Sequence, residues 1–145
     1  GLAYRLGSRK TACFDFASKK QSLVTRSSTD AEIYVIDKGC HDIEWLRQLM
    51  NFLRCPKIQP TVIHEDNEGC IFPIKGESKY SNKSKHIQWR YYYALQAIAE
   101  GTAILKYIQT DEQVADILTK FIESPKKFYY LRSLLMNCED IKSGL

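Results

Sequence analysis

Three carboxylates stand where an α/β chain can gather chemistry. Glu32 lies in the first turn of a long amphipathic segment, Asp66 ends a β-branched run, and Asp116 sits in a late helical stretch. Strand ends and helix starts can converge at the carboxyl edge of a sheet, where hard oxygen ligands and a largely hydrated site suit magnesium. Each carboxylate also has a plainer role. Glu32 fits as the capping-box partner of Thr29, Asp66 beside Asn67 as a cap for the helix that follows, and Asp116 as a solvated helix carboxylate. A second feature is charge: Lys75, Lys79, Lys83, Lys85 and Arg90 face Glu77 alone, a local excess equal to the whole chain's formal +4. His86 lies inside this run, and Tyr80, Trp89, Tyr91, Tyr92 and Tyr93 are interleaved with it. That composition suits phosphate contacts with aromatic stacking. It equally fits a solvated loop followed by a helix whose tyrosines are partly core. Glu65, Asp66 and Glu68 form an acidic knot opposite in sign to that basic run, the pairing a metal-dependent enzyme acting on a polyanion needs.

Other chemistries are poorly supported. A Ser27/His64/Asp66 triad can be written down, but no G-x-S-x-G elbow accompanies it. Cys40 and His41 are sequence neighbours on a helix and do not face each other. No glycine-rich phosphate loop is present. Five cysteines (13, 40, 55, 70, 138) are odd in number and never spaced C-x-x-C, which favours buried free thiols over a disulfide framework or zinc knuckle.

The elements that must position these residues follow from pattern. Gly1 to Leu6 and Thr11 to Ala17 read as two antiparallel strands joined by Gly7-Ser-Arg-Lys. Apolar residues at 33, 36, 40, 43, 46, 50 and 53 mark one face of a long helix, expected to start at Thr29 and to stop before Cys55-Pro56. Thr61 to Asp66 is a strand, residues 67 to 74 a short helix disturbed by Pro73, and Lys75 to Lys85 a loop. A helix through Ile87, Tyr91, Ala94, Leu95 and Ile98 ends at Gly101, and Thr102 to Gln109 is a further strand. Thr110-x-x-Gln113 predicts a capping box opening a helix through Lys120, and Pro125 starts a last helix reaching about Cys138. The order β-β-α-β-α-α-β-α-α predicts a mixed α/β fold with a partly antiparallel sheet. With 145 residues, 44% of them hydrophobic, one domain with a genuine core spanning 1–145 is expected. No stretch approaches the roughly 20 apolar residues of a membrane helix, and Gly1 to Leu6 lacks the features of a signal peptide, so a soluble intracellular product is expected.

Taken together, Ser18-Lys-Lys-Gln21, Ser27-Ser-Thr-Asp-Ala-Glu32, Trp45-Leu-Arg47, Glu65-Asp-Asn67, Lys85-His-Ile87 and Ala115-Asp-Ile-Leu-Thr-Lys120 closely resemble, in order and spacing, the ribonuclease H region of copia-type LTR retrotransposon Pol polyproteins. The resemblance implies an RNase H-like fold, a five-stranded mixed sheet flanked by helices. It also implies two magnesium ions held by four acids that cleave the RNA strand of an RNA–DNA hybrid during reverse transcription. Residue by residue, Glu32 matches the helix glutamate, Asp66 the aspartate ending the fourth strand, and Asp116 that of the late helix. Lys75, Lys79, Lys83, Lys85, His86 and Arg90 are the candidates for contact with the hybrid's backbone. Asp30, Gln88 and Phe121 depart from the usual pattern without touching a metal ligand.

The family's first, central strand, which bears the first catalytic aspartate, is expected to precede Gly1. On that expectation the domain starts at the second strand, the two-ion site is incomplete and activity is in doubt. Asp15 falls in the third strand of the match and is no substitute. The alternative is a non-catalytic, nucleic-acid-binding or domesticated remnant of a copia-type Pol polyprotein. Implied partners are the hybrid and the reverse transcriptase region of the same polyprotein, with no membrane. The implied location is a cytoplasmic retrotransposon particle, with possible nuclear passage.

Overall fold

A computed structural model of the chain describes residues 1–7, 11–18, 27–74 and 85–138. These form two compact units, one of residues 1–22 with 109–145 and one of residues 23–108. The loop expected from Lys75 to Lys85 falls almost wholly outside the described residues, as do residues 19–21 of the Ser18-Lys-Lys-Gln21 motif.

The larger unit is built on a parallel pair of strands. β3 (Thr61–Glu65) and β4 (Ala103–Tyr107) run side by side in register, Thr61 opposite Ala103 and Glu65 opposite Tyr107. Three helices pack with them: α1 (Ser28–Phe52), α2 (Glu68–Ile74) and α3 (Lys85–Ala99). The helical spacing read from the sequence buries Ile33, Ile36, Cys40 and Ile43 of α1 against Cys70 and Ile74 of α2, Ile87, Tyr91, Ala94 and Ala97 of α3, and Ala103 and Leu105 of β4. Each Å² of apolar area that this cluster removes from water contributes roughly 25 cal/mol to the stability of the unit. Cys40 and Cys70 serve it as small apolar side chains, and burial, then Asp37, pushes the Cys40 thiol up to about 12. The Tyr91 hydroxyl donates to the Pro73 carbonyl at 2.9 Å, tying α3 to α2. Arg47, from the Trp45-Leu-Arg47 motif, donates to the Gln59 carbonyl at 3.0 Å and reaches the Thr102 carbonyl at 3.5 Å, clamping α1 to the starts of both strands. Gly101 adopts φ +72°, the left-handed turn that its place after α3 requires.

In the smaller unit, β1 (Leu2–Arg5) and β2 (Cys13–Ala17) pair antiparallel, with a register irregularity at Tyr4/Arg5. Arg5 donates to the Leu134 carbonyl on α4 (Pro125–Met136), and Ser18 to the Leu118 carbonyl at 2.7 Å. Ser124 caps α4, Pro125 occupies its first turn, and Asn137 ends it in the left-handed conformation.

Two expectations are corrected. The helix of Glu32 is capped by Ser27, whose hydroxyl accepts from the Asp30 N–H at 3.1 Å, so the cap lies two residues before Thr29. The expected helix from Thr110 to Lys120 is instead two 3₁₀ segments, Thr110–Glu112 and Val114–Leu118. They are separated by Gln113 in an extended conformation (φ −74°, ψ 96°), and no side-chain cap forms at the start of either one. Otherwise the described elements follow the expected order, and the architecture is mixed α/β.

Candidate active site

The acidic corner lies where α1 begins and β3 ends. Ser27 takes the capping role, so Glu32 is not needed for it and stands half-buried one turn into α1. On β3 the two-residue alternation turns Glu65 inward to 4% exposure and leaves Asp66 half-buried just past the strand. Asn67, not Asp66, caps α2: its side-chain oxygen accepts from the Gly69 N–H at 2.9 Å, and its carbonyl accepts from the N–H groups of Cys70 and Ile71. Asp66 is thereby released from the structural role the sequence allowed it. A side chain at Gly69 would meet Asn67 Oδ1 at 3.0 Å and Thr29 Oγ1 at 3.4 Å, so the first turns of α1 and α2 approach closely here.

The electrostatics of the corner are those of crowded carboxylates. Burial first, then the neighbouring Glu32 carboxylate and more weakly Asp66, push the Glu65 carboxyl from 4.5 up to about 7. The Asn67 N–H, donating to Glu65 Oε1 at 3.0 Å, works in the opposite direction. The same two glutamates, after burial, raise the Cys70 thiol beneath them. Sequence reading placed Glu65 only in an acidic knot; its burial beside Glu32 is the feature it missed. The signal was the strand's alternation, which puts 65 on the face of Thr61 and Ile63.

Asp116 belongs to the smaller unit. It is buried at 7% exposure on the second 3₁₀ segment, where Lys120 Nζ pairs with its Oδ1 at 2.9 Å and its carbonyl accepts from the Thr119 and Lys120 N–H groups. The structure therefore brings Glu32 close to Glu65, the residue before Asp66, and places Asp116 in a separately described unit. Oxygen-only carboxylate chemistry with mutual repulsion suits a hard divalent cation. Even so, no group of three or more His, Cys, Asp or Glu side chains able to hold a metal ion occurs among the described residues.

Of the basic candidates, Lys75, Lys79 and Lys83 lie outside the described residues. Lys85 and His86 are exposed at the start of α3. Arg90 is turned inward instead: its Nη1 pairs with Asp37 of α1, whose side chain is 4% exposed, and its guanidinium lies 4.2 Å from the centre of the Tyr34 ring. Asp37 was not singled out in the sequence, although a lone acid inside the Ile33–Ile36–Cys40 stripe signals a buried ion pair. No helix among the described residues is long and apolar enough to cross a membrane.

Comparison with known proteins supplies the family context. The chain is 30% identical over 105 residues, 72% of its length, to the retrovirus-related Pol polyproteins from transposons RE2 and RE1 of Arabidopsis thaliana. It is 28% identical over 109 residues to the corresponding polyprotein from transposon TNT 1-94 of Nicotiana tabacum. It spans less than a tenth of these relatives, 7% of the Arabidopsis polyproteins and 8% of the tobacco one. No family model and no solved structure matches it. The homologues of this chain are thus retrovirus-related Pol polyproteins of copia-type transposons, and the similarity supports a retroelement-derived origin.

Proposed function

We propose that this chain is a ribonuclease H domain of a copia-type Pol polyprotein, with an RNase H-like fold, acting on the RNA strand of RNA–DNA hybrids. The observation that supports the reading is the acidic corner: Glu32 of α1 lies near enough to Glu65, the residue before Asp66, to add to the effect of burial on its carboxyl. Glu32 and Asp66 are the residues of the larger unit that would hold magnesium, and Asp116 is carried as a ligand only by the resemblance of its Ala115–Lys120 motif. The metal, when bound, supplies an activated water and charge stabilisation at the leaving oxygen. The chain's own part is positional. The Ser27 cap fixes the first turn of α1, and the Asn67 cap turns the chain sharply after β3, so that Asp66 is spared for other duties. Lys85 and His86, with Lys75, Lys79 and Lys83, are the groups proposed to meet the hybrid's phosphates.

A second reading, a non-catalytic nucleic-acid-binding remnant, is favoured by the ion pair that already engages the Asp116 carboxylate with Lys120. Magnesium-dependent cleavage of an RNA–DNA hybrid by the whole chain separates the two. The ribonuclease reading expects cleavage that Asp66→Asn abolishes while far-UV circular dichroism is unchanged. Absence of cleavage at any magnesium concentration, with hybrid binding intact, favours the remnant.

A further inference from the structure

Between α1 and α3 the larger unit carries an open groove of about 380 Å³, lined by Asp37, His41, His86, Trp89, Arg90 and Tyr93. Its composition is unusual for an outer helix face. The Trp89 indole is 76% exposed, a large flat apolar surface left in water. Beside it the rings of His41 and Tyr93 are already stacked, centroids 4.0 Å apart and 16° from parallel, which makes a second flat wall. The floor is the Arg90–Asp37 pair, with His41 Nε2 3.7 Å from Asp37 Oδ1. Asp37 is 4% exposed and accepts from Arg90, so the pair holds α3 against α1 and leaves the flat rings above it as the contact surface. Lys85 and His86 stand exposed at the N-terminal end of the groove, where a phosphate attached to a base stacked there would be neutralised.

We propose that this groove is a stacking seat for an unpaired nucleobase of a single-stranded nucleic acid, with Trp89 as the stacking surface and the His41–Tyr93 stack beside it. The seat shares Lys85 and His86 with the proposed phosphate contacts and so rests on the nucleic-acid part of that reading, but it uses neither Glu32 nor Asp66 and needs no metal. Aromatic stacking tolerates any base, because every base offers a π face, so the seat grips a strand without selecting its sequence.

The test uses the fluorescence of Trp89. The chain has two tryptophans, Trp45 and Trp89, so Trp45→Phe leaves the groove's indole as the sole reporter. In EDTA and low salt, a short oligodeoxythymidine should quench that signal. An abasic strand of the same length and charge should leave it unquenched. Trp89→Ala in the otherwise intact chain should weaken binding of the oligodeoxythymidine, followed by anisotropy, roughly five- to a hundred-fold. Trp89→Phe should retain part of the affinity. The exposure of Trp89 means the variant should keep the parent's unfolding midpoint, which is checked in parallel. Asp66→Asn should quench as the parent does, so loss of cleavage and loss of stacking are read separately. Equal quenching by the abasic strand, unchanged affinity in Trp89→Ala, or no binding of the oligodeoxythymidine would each overturn the proposal.

Discussion

Replacing Glu65 by glutamine tests the electrostatics of the acidic corner most directly. In the folded chain this carboxyl is pushed from 4.5 up to about 7 by burial and by Glu32, so the native state holds its proton across a range in which the unfolded chain has lost it. The sign follows from linkage. Between those two values the folded state binds more protons, so stability is full below about pH 4.5 and falls as pH rises through about 7. At about 1.4 kcal/mol per pH unit, the full displacement corresponds to roughly 3 kcal/mol lost by pH 8. Glutamine keeps an oxygen to accept from the Asn67 N–H, now 3.0 Å from Glu65 Oε1, and cannot ionise. Urea unfolding of the parent and of Glu65→Gln in EDTA, from pH 4 to pH 8, should give nearly equal stabilities at the acid end. The variant should become roughly 2–3 kcal/mol more stable at the alkaline end, the difference opening between about pH 5 and 7. Curves that stay parallel across the range would refute the crowding of Glu65 by Glu32, since background titrations are common to both proteins.

Two further outcomes follow from the same geometry. Arg90→Ala leaves the nearly buried Asp37 carboxylate without its guanidinium and should cost about 3 kcal/mol in urea unfolding, a loss that Asp37→Asn in the same background should partly recover. Ser27→Ala removes the acceptor for the Asp30 N–H and should cost about 1 kcal/mol, measured by thermal unfolding, whereas Thr29→Ala should cost clearly less.

Local pattern was enough to determine much of this protein. The three- and four-residue steps of α1 already named Ile33, Ile36, Cys40 and Ile43 as a buried face, because a helix repeats every 3.6 residues whatever it packs on. Gly101 after α3, Pro125 opening α4 and the β-branched strand from Thr61 to Glu65 were legible for the same reason: backbone chemistry acts over one turn. The Thr110–Gln113 box failed because a cap is stabilising only where the following residues continue as a helix, and Gln113 is extended. Likewise two hydroxyls, Ser27 and Thr29, each stood three residues ahead of an acid, and only the folded chain selected the first. What tertiary structure alone decided is the fate of individual charges. Arg90 reads as one more phosphate-seeking cation in a basic run until α1, 53 residues away, supplies Asp37. Alternation along β3 separates Glu65 from Asp66 by face, but that the face of Glu65 is the buried one, with Glu32 beside it to raise its carboxyl, is set by the packing of α1. Burial and pairing are set by residues far apart in the chain, and their energies scale with desolvation, which no local motif contains.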